Sequence, residues 1–566
     1  MKLNQIRIFK SELLRWARIL LRAKRSYFNL GMRWSRRLSA ASPAAIIAPR
    51  QKVLIATSFA GNLGALTMEG VVATALVKRG AEVSALLCDS AVPACMECDH
   101  RLYPTPLAQK RLVREGPKEL CLSCTRNGTR LYGDLSIPVL YFREHLTPSD
   151  MQRAASVSLE TPLDEIRGYK LDGLLVGEHA YAGVLRFYSR GDTHNEPHAE
   201  SLVRRYFQSA LLTVFMMRNL LATQHFDVCV LNHGIYVPQG LIVEVCREQG
   251  VRVVTWNPAY RRHCFIFSHD DTYHHTLMNE PVSTWEDMPW SDTMEREIMK
   301  YIDSRSEGSR DWIWFHEKPV FDIHRIELEL GVDLSRPTIG MLTNVVWDAQ
   351  LHYPANAFPG LVEWVMDTIS WFADHPELQL VIRVHPAEIR GTVPSRQRIL
   401  EEIGRTWPVL PCNVFVIPPE SSASTYAVMK QCDSVIIYGT KTGVELTSMG
   451  IPVIVAGEAW LRNKGITLDA SSIEQYHEFL ASLPLGERMT PQQTQRARKY
   501  AYHFFFRRMI PLPFMQSRKG YPPFIPELDS LDQLGSGNFE GLDIICDGIL
   551  TGSEFVYPSE HLQHGQ

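Results

Sequence analysis

Twice along this chain, short β-branched runs alternate with amphipathic stretches, and that alternation leaves few architectures open. The first series starts after Gln51. Residues 53–59 (VLIATSF) read as a buried strand, Gly61 and Gly64 mark a loop, a helix runs to about Arg79, and residues 83–87 form a second strand. The alternation returns at 228–231 (VCVL), a helix over 238–249, and 251–255 (VRVVT). The second series places strands at 338–342, 378–383, 414–417, 434–438 and 452–456, separated by helices near 358–373, 395–405, 424–431 and 442–449. Such patterns predict parallel sheets covered on both faces. The expected fold class is α/β, with two Rossmann-like domains facing across a cleft at the carboxyl ends of their strands, where open α/β folds bind ligands. The loop after the first strand is not GxGxxG, so it makes no case for a dinucleotide. The expected boundaries are a basic amphipathic helix at 1–39, a linker at 40–50, a first domain at 51–260, an interdomain connection at 261–335, a second domain at 336–485, a crossover helix at 486–526 and an acidic tail at 527–566.

Charge is unevenly spread. Residues 1–39 hold eleven Lys/Arg against Glu12 alone, a net +10, so the overall −3 leaves −13 for the remainder. A body of that sign excludes a general polyanion binder, and nucleic acid is not an expected partner. Ile6, Phe9, Leu13, Trp16 and Leu20 line one face of a helix, with Lys2, Arg7, Lys10, Arg15, Arg18, Arg22, Lys24 and Arg25 around it. Such a helix can lie in the headgroup plane of an anionic membrane; the alternative is a helix packed on its own domain with a solvated basic face. No apolar run has the 18 or more residues of a spanning helix. The arginines also interrupt any secretory h-region. The expected location is therefore cytoplasmic, peripheral on the inner membrane.

Chemistry concentrates in the second series. In VIRVHPAE (381–388) a strand ends at Arg383, and His385-Pro386 turns the chain at its carboxyl edge, where an imidazole can donate to a phosphate or its leaving group. In SVIIYGTKTGVELTSMGIP (434–452) a strand ending at Tyr438 runs into Gly439-Thr440-Lys441-Thr442-Gly443 as a helix starts. Helix-terminal N–H groups and two hydroxyls there suit an anion, and Glu445 is placed to accept from ribose hydroxyls. Between them lies a hydroxyl-rich loop, 420–425, with Ser424 and Thr425 at another helix start. The expected donor-binding set is Arg383, His385, Pro386, Glu388, Ser424, Thr425, Tyr438, Gly439, Thr440, Thr442, Gly443 and Glu445. Ordinary capping by Ser and Thr accounts for any one of these loops; three in one sheet point to a nucleotide phosphate. The base that activates an acceptor is expected at His233, on a strand end of the first series, or at Asp348.

These segments carry a resemblance. TNVVWDAQ (343–350), VIRVHPAE, the run 424–460 from STYAVMKQ to GEAW, and NKGITLDA (463–470) resemble the bacterial capsule polysaccharide biosynthesis proteins, including the Kdo-transferring capsule enzymes. NHGIYVPQG (232–240) and WNPAYRRH (256–263) are similar more weakly. The resemblance implies a GT-B glycosyltransferase that needs no catalytic metal. Residues 336–485 would bind a nucleotide-sugar donor, a CMP- or UDP-sugar, and residues 51–260 a glycan or lipid-linked glycan acceptor. His385 and the Ser424/Thr425 loop would hold the donor phosphate, with phosphate and ribose contacts from Thr440 to Glu445. A nucleotide-sugar 2-epimerase, a CDP-glycerol-type phosphotransferase and a non-catalytic capsule-assembly scaffold are the alternatives.

Cys95, Cys98, Cys121 and Cys124 form two CxxC pairs within the segment 88–124, with Cys88 just upstream. Four thiolates from two tight turns complete a tetrahedral structural zinc site; an iron–sulfur cluster uses the same ligands, and free thiols or a redox pair need no metal. The other cysteines, including Cys229 and Cys432, read as small core residues.

Overall fold

The computed structural model describes residues 2–28, 33–38, 51–307, 311–312, 319–348, 354–518 and 523–561; the expected linker at 40–50 lies outside them. The protein is built on two sheets. The first contains β1 (Lys52–Ser58), β2 (Glu82–Leu87), β3 (Val139–Tyr141), β4 (Val228–Asn232), β5 (Arg252–Pro258) and β6 (Cys264–His269). The second contains β7 (Thr338–Leu342), β8 (Gln379–Arg383), β9 (Val414–Ile417), β10 (Ser434–Ile437), β11 (Val453–Val455) and β12 (Leu468–Asp469). A short strand, β13 (Ile510–Pro511), completes the first sheet in the order β13-β6-β5-β4-β1-β2-β3, and the second runs β12-β11-β10-β7-β8-β9.

Counted within each half, both sheets follow the doubly wound order 3-2-1-4-5-6. The second is parallel throughout. In the first, β6 pairs antiparallel with β5 and β13. The chain reverses direction on either side of β1 and of β7, so each sheet has a switch point, between β1 and β4 and between β7 and β10. Helices cover the faces, which is why β7 and β8 are buried at every residue and read as unbroken apolar runs. The helix Leu63–Lys78 shows the local logic. Asn62 Oδ1 accepts from the Gly64 and Ala65 N–H groups at 3.2 Å each, and an almost wholly apolar sequence follows because the helix is sunk against the first sheet.

Three expectations about organisation need correcting. Strand β6 lies within the segment expected to be connection, so the first sheet extends past residue 260. The helix Pro491–Tyr502 packs on Thr442–Ser448 of the second half before the chain returns to the first sheet as β13. The expected acidic tail is largely core: in the helix Glu540–Thr551, Leu542, Ile545, Cys546 and Ile549 join the apolar cluster under β1 and β4, and Arg252 donates to Ile549 O at 2.8 Å. Its acidic residues face outward, so composition hid an amphipathic element.

The N-terminal helix spans Lys2–Phe28, and it departs from the alternative of a packed helix with a solvated basic face. Arg15 is only 2% exposed; it pairs with Glu119 and donates to Leu102 O at 2.7 Å. Arg22 meets Glu97 at 2.7 Å, and Ile19 is buried beside them. The helix therefore docks through its arginines, while Leu13 (61% exposed), Trp16 (44%) and Leu20 (64%) look outward. Arg15 and Arg22, expected at lipid, are spent on internal ion pairs; the side chains of Ile6 and Phe9 lie outside the described residues.

One buried acid makes stability depend on pH. Glu69, on the helix Leu63–Lys78, is sunk beneath β4 and β5, where its Oε1 accepts from the Asn232 N–H at 3.1 Å. Burial pushes its carboxyl up from 4.5 to about 7, against the opposing pull of hydrogen bonds from Thr57, Asn232 and Trp256. A folded-state value above the unfolded one favours the protonated form. The stability it contributes is complete below about 4.5 and is lost as pH rises through about 7. Tm measured across that window should fall for the wild type and fall less for Glu69→Gln; equal slopes would contradict the assignment.

Candidate functional site

The site lies between the two sheets, at the carboxyl ends of their strands. There a cavity of about 500 Å3 is lined from the first half by His233, Tyr260, Tyr273 and His274, and from the second by the ends of β7, β8 and β10. Of the residues expected from sequence, His233, Asp348, Arg383, His385, Pro386, Thr425, Tyr438, Gly439, Thr440 and Thr442 all line it. Glu388, Ser424, Gly443 and Glu445 do not.

His385 follows β8. Its backbone N–H donates to Thr343 Oγ1 at 3.1 Å, and its Nδ1 accepts from the Ala387 N–H at 3.0 Å. That second bond fixes the neutral tautomer with its proton on Nε2, the donor a phosphate oxygen requires. Arg383 is a strut beneath it: Nη1 donates to Pro418 O at 2.6 Å and Nε to Thr425 Oγ1 at 3.2 Å. Burial pulls its guanidinium down to about 10. Tyr438 likewise donates to Phe358 O at 3.0 Å. Asn344 Nδ2 donates to Gly439 O at 2.6 Å, joining the loops after β7 and β10.

The turn after β10 works differently from expectation. Its backbone donors are used internally: Thr442 N–H bonds Thr440 Oγ1 at 3.4 Å, Gly443 N–H bonds Thr440 O at 3.3 Å and Val444 N–H bonds Lys441 O at 2.9 Å. The positive character of the site comes instead from Lys441 and Arg305, both of which line the cavity. Glu445 is fully buried behind them, paired with Arg305 Nε at 2.6 Å and Lys441 Nζ at 3.2 Å and accepting from the Tyr426 hydroxyl. Burial alone would raise its carboxyl; the Arg305 and Lys441 charges outweigh it and hold the group below the usual range. Arg305 also meets Asp311 at 2.5 Å. Glu445 is thus a counter-ion in the cleft floor, not a ribose contact. Ser424 proves to be a cap, accepting from the Ala427 N–H at 3.3 Å. Glu388 is tucked under the helix Ile399–Thr406, accepting from the Ile399 N–H at 3.0 Å, with its carboxyl pushed by burial to about 7. Gly443 is packed inside its helix.

Both candidate bases reach the same cavity. His233 sits at the end of β4 with φ 68, in a left-handed stretch with Gly234 and Tyr236. Such strain is held by the surroundings and aims the side chain. Burial, with Arg186 nearby, lowers its imidazole to about 4, so it is neutral at neutral pH, and Nδ1 is buried without a hydrogen-bond partner among the described residues. Asp348 accepts from the Tyr236 hydroxyl at 3.1 Å, a bond that crosses from the first half to the second. Burial raises its carboxyl, toward the range in which a base is effective. The sequence reading missed the aromatic wall. Tyr260, Tyr273 and His274 of the first half pack on Trp460 of the second, His274 stacked at 5.4 Å. Tyr260 lies inside WNPAYRRH (256–263), but no spacing announces the Tyr273–His274 pair.

No family model matches the chain, and no curated protein matches it. Solved structures give distant matches. A beta Kdo 2,4 transferase, KpsC of Thermosulfurimonas dismutans, is 12% identical over 48% of this chain and 79% of that one, with a TM-score of 0.32. The calicheamicin glycosyltransferase CalG4 is 11% identical over 80% of this chain and 94% of that one, at 0.24. The UDP-GlcNAc 2-epimerase from Neisseria meningitidis, bound to UDP-GlcNAc, is 12% identical over 80% and 96%, at 0.23.

Replacing Glu445 with Ala strands Arg305 and Lys441 without their buried counter-charge, an expected cost of about 3–5 kcal/mol. The unliganded variant should therefore melt well below the wild type. An unchanged Tm with weakened ligand binding would return Glu445 to the role of a ligand contact.

Proposed function

We propose that the protein is a GT-B glycosyltransferase that moves a sugar from a nucleotide-sugar donor to a capsular or other surface polysaccharide acceptor. The observation that carries this reading is the composition of the cleft. One cavity gathers an imidazole with its proton on Nε2 (His385), a buried arginine (Arg305), a half-buried lysine (Lys441), hydroxyls (Thr440, Thr442) and, from the loop after β7, a carboxylate with a raised pKa (Asp348). Its volume of about 500 Å3 suits a small-molecule ligand.

In this reading the donor phosphates lie against the second half, with His385 Nε2–H and the cations facing them. Asp348 removes the proton from an acceptor hydroxyl as that oxygen attacks the anomeric carbon. The bond from that carbon to the donor phosphate breaks, and the nucleotide leaves with the electron pair, its charge stabilised by His385, Lys441 and Arg305. Tyr236 holds the Asp348 carboxyl in place from the opposite half.

The acceptor, on this proposal, is held at an anionic membrane. No helix among the described residues is long and apolar enough to cross a membrane. The outward stripe Leu13–Trp16–Leu20, flanked by exposed Lys10 and Lys24, instead suits insertion at the headgroup level.

Thermal-shift measurement against CMP, CDP, UDP, GDP and their sugars tests the site. One nucleotide series should raise Tm, since a ligand that binds only the folded state stabilises it. The shift should vanish in His385→Ala and persist in Asp348→Asn, which should lose about 10²–10⁴-fold in transfer rate. No shift with any nucleotide counts against the reading, and release of free sugar without an acceptor would make the protein an epimerase. Sedimentation with vesicles of anionic phospholipid tests the helix. The triple variant Leu13→Ser, Trp16→Ser, Leu20→Ser should stay in the supernatant while the wild type pellets; equal behaviour of the two removes the membrane role.

A further inference from the structure

A second cavity, of about 290 Å3, opens at the carboxyl edge of the first sheet, where the loop after β1 brings Phe59 and Asn62 to its wall. Four thiols line it: Cys88 just after β2, Cys95 in the following loop, and Cys121 and Cys124 from the helix Lys118–Asp134. The set differs from the one the CxxC spacing suggests. Cys98 does not line the cavity; it is fully buried, hydrogen-bonded with Cys95 and close to Tyr103 and Tyr206. Cys88 takes its place.

Each of the four sulfurs is met by a donor. The Ala60 N–H points at Cys124 Sγ at 3.0 Å. Backbone N–H groups of Ser90, Ala91 and Val92 serve Cys88, that of Glu97 serves Cys95, and the Ser90 side chain serves Cys121. Hydrogen bonds to sulfur stabilise metal-bound thiolates and tune the centres they hold. The thiols also act on one another electrostatically, which places them in one neighbourhood. Yet among the described residues no three His, Cys, Asp or Glu side chains are placed to hold one metal ion. A single zinc would need four sulfurs at about 2.3 Å from a common centre. Four thiols on the wall of one cavity of about 290 Å3, with no three set around a single ion, suit a polynuclear group whose own atoms occupy the space between them.

We propose that this cavity binds a four-iron, four-sulfide (4Fe–4S) cluster through Cys88, Cys95, Cys121 and Cys124. Burial keeps the unligated thiols protonated, pushing Cys88 up to about 11 and Cys121 to about 12. Each sulfur therefore gives its proton to solvent as it bonds iron, and two ferrous ions, two ferric ions and four inorganic sulfides are the co-reactants, so that no further oxidant is needed. Arg22, Arg101 and Arg186 line the same cavity; Glu97 and Asp99 line it too, paired with Arg22 and Arg101, so these side chains together leave one net positive charge beside the thiolates. Arg22 belongs to the N-terminal helix and Arg186 also acts on His233 and Asp348, so the centre sits between the docking helix and the cleft. The inference does not depend on the proposed transferase activity.

The test is the metal content of full-length protein purified without oxygen, with zinc measured alongside iron and acid-labile sulfide. About four iron and four sulfide per chain are expected, with a visible absorption that dithionite bleaches. Cys88→Ala and Cys121→Ala should lose the iron, while Cys98→Ala, at a more deeply buried cysteine, keeps it; circular dichroism of each variant separates lost ligation from lost folding. Should a ligand variant fail to fold, the wild-type stoichiometry and the Cys98→Ala result decide. Protein isolated without metal is incubated anaerobically with equal parts of ferrous and ferric iron and with sulfide, and uptake of the cluster supports the proposal. Failure to take it up overturns it. So does one zinc per chain that Cys98→Ala removes, or a Cys95–Cys98 disulfide in metal-free protein.

Discussion

The cleft depends on one buried ionic knot. Arg305, from the segment between the two sheets, is enclosed with Glu445 and Asp311, and Lys441 shares the Glu445 carboxylate. Charges so far from water persist only with partners and hydrogen bonds to match, and Tyr301 and Tyr426 supply those bonds to Asp311 and Glu445. The knot ties the connection between the halves to the turn after β10. It leaves Arg305 and Lys441 facing the cavity with Glu445 behind them, while Asp311 reaches the cavity wall beside Arg305. The remaining site residues are arranged around the two cations, His385 from β8 and Asp348 from the loop after β7.

The two halves meet through contacts of several kinds. Tyr236 donates to Asp348, the aromatic group around Trp460 closes one side, and Arg396 pairs with Glu196 at 2.8 Å across another. The return of the chain through Pro491–Tyr502 to β13 adds a covalent tie. Both cavities lie at carboxyl edges of the sheets, and Arg186 acts electrostatically on residues of each. A change of charge in the thiol-lined cavity is thus positioned to reach the candidate bases.

Much of the fold was legible because parallel strands buried on both faces read as apolar runs, and β7 and β9 fall where the pattern put them. Strand β6 was missed because an antiparallel addition at the end of a parallel series has no periodic announcement. The Glu540–Thr551 helix was missed because its acids masked its apolar face. At the site, His385 and Thr440 were legible from their position after strands. Glu445 was misread because sequence places it near the turn without showing that Arg305, 140 residues earlier in the chain, neutralises it. The N-terminal arginines were misread for the same reason: Glu97 and Glu119 are partners only in three dimensions.

The most direct test is a crystal structure of the full chain with the nucleotide that stabilises it. The account predicts nucleotide density in the cavity between the sheets, with phosphate oxygens within hydrogen-bond distance of His385 Nε2 and beside Lys441 and Arg305, and Asp348, held by Tyr236, lining the same cavity. A nucleotide bound outside that cavity, or in it with its phosphates away from His385, would contradict the account.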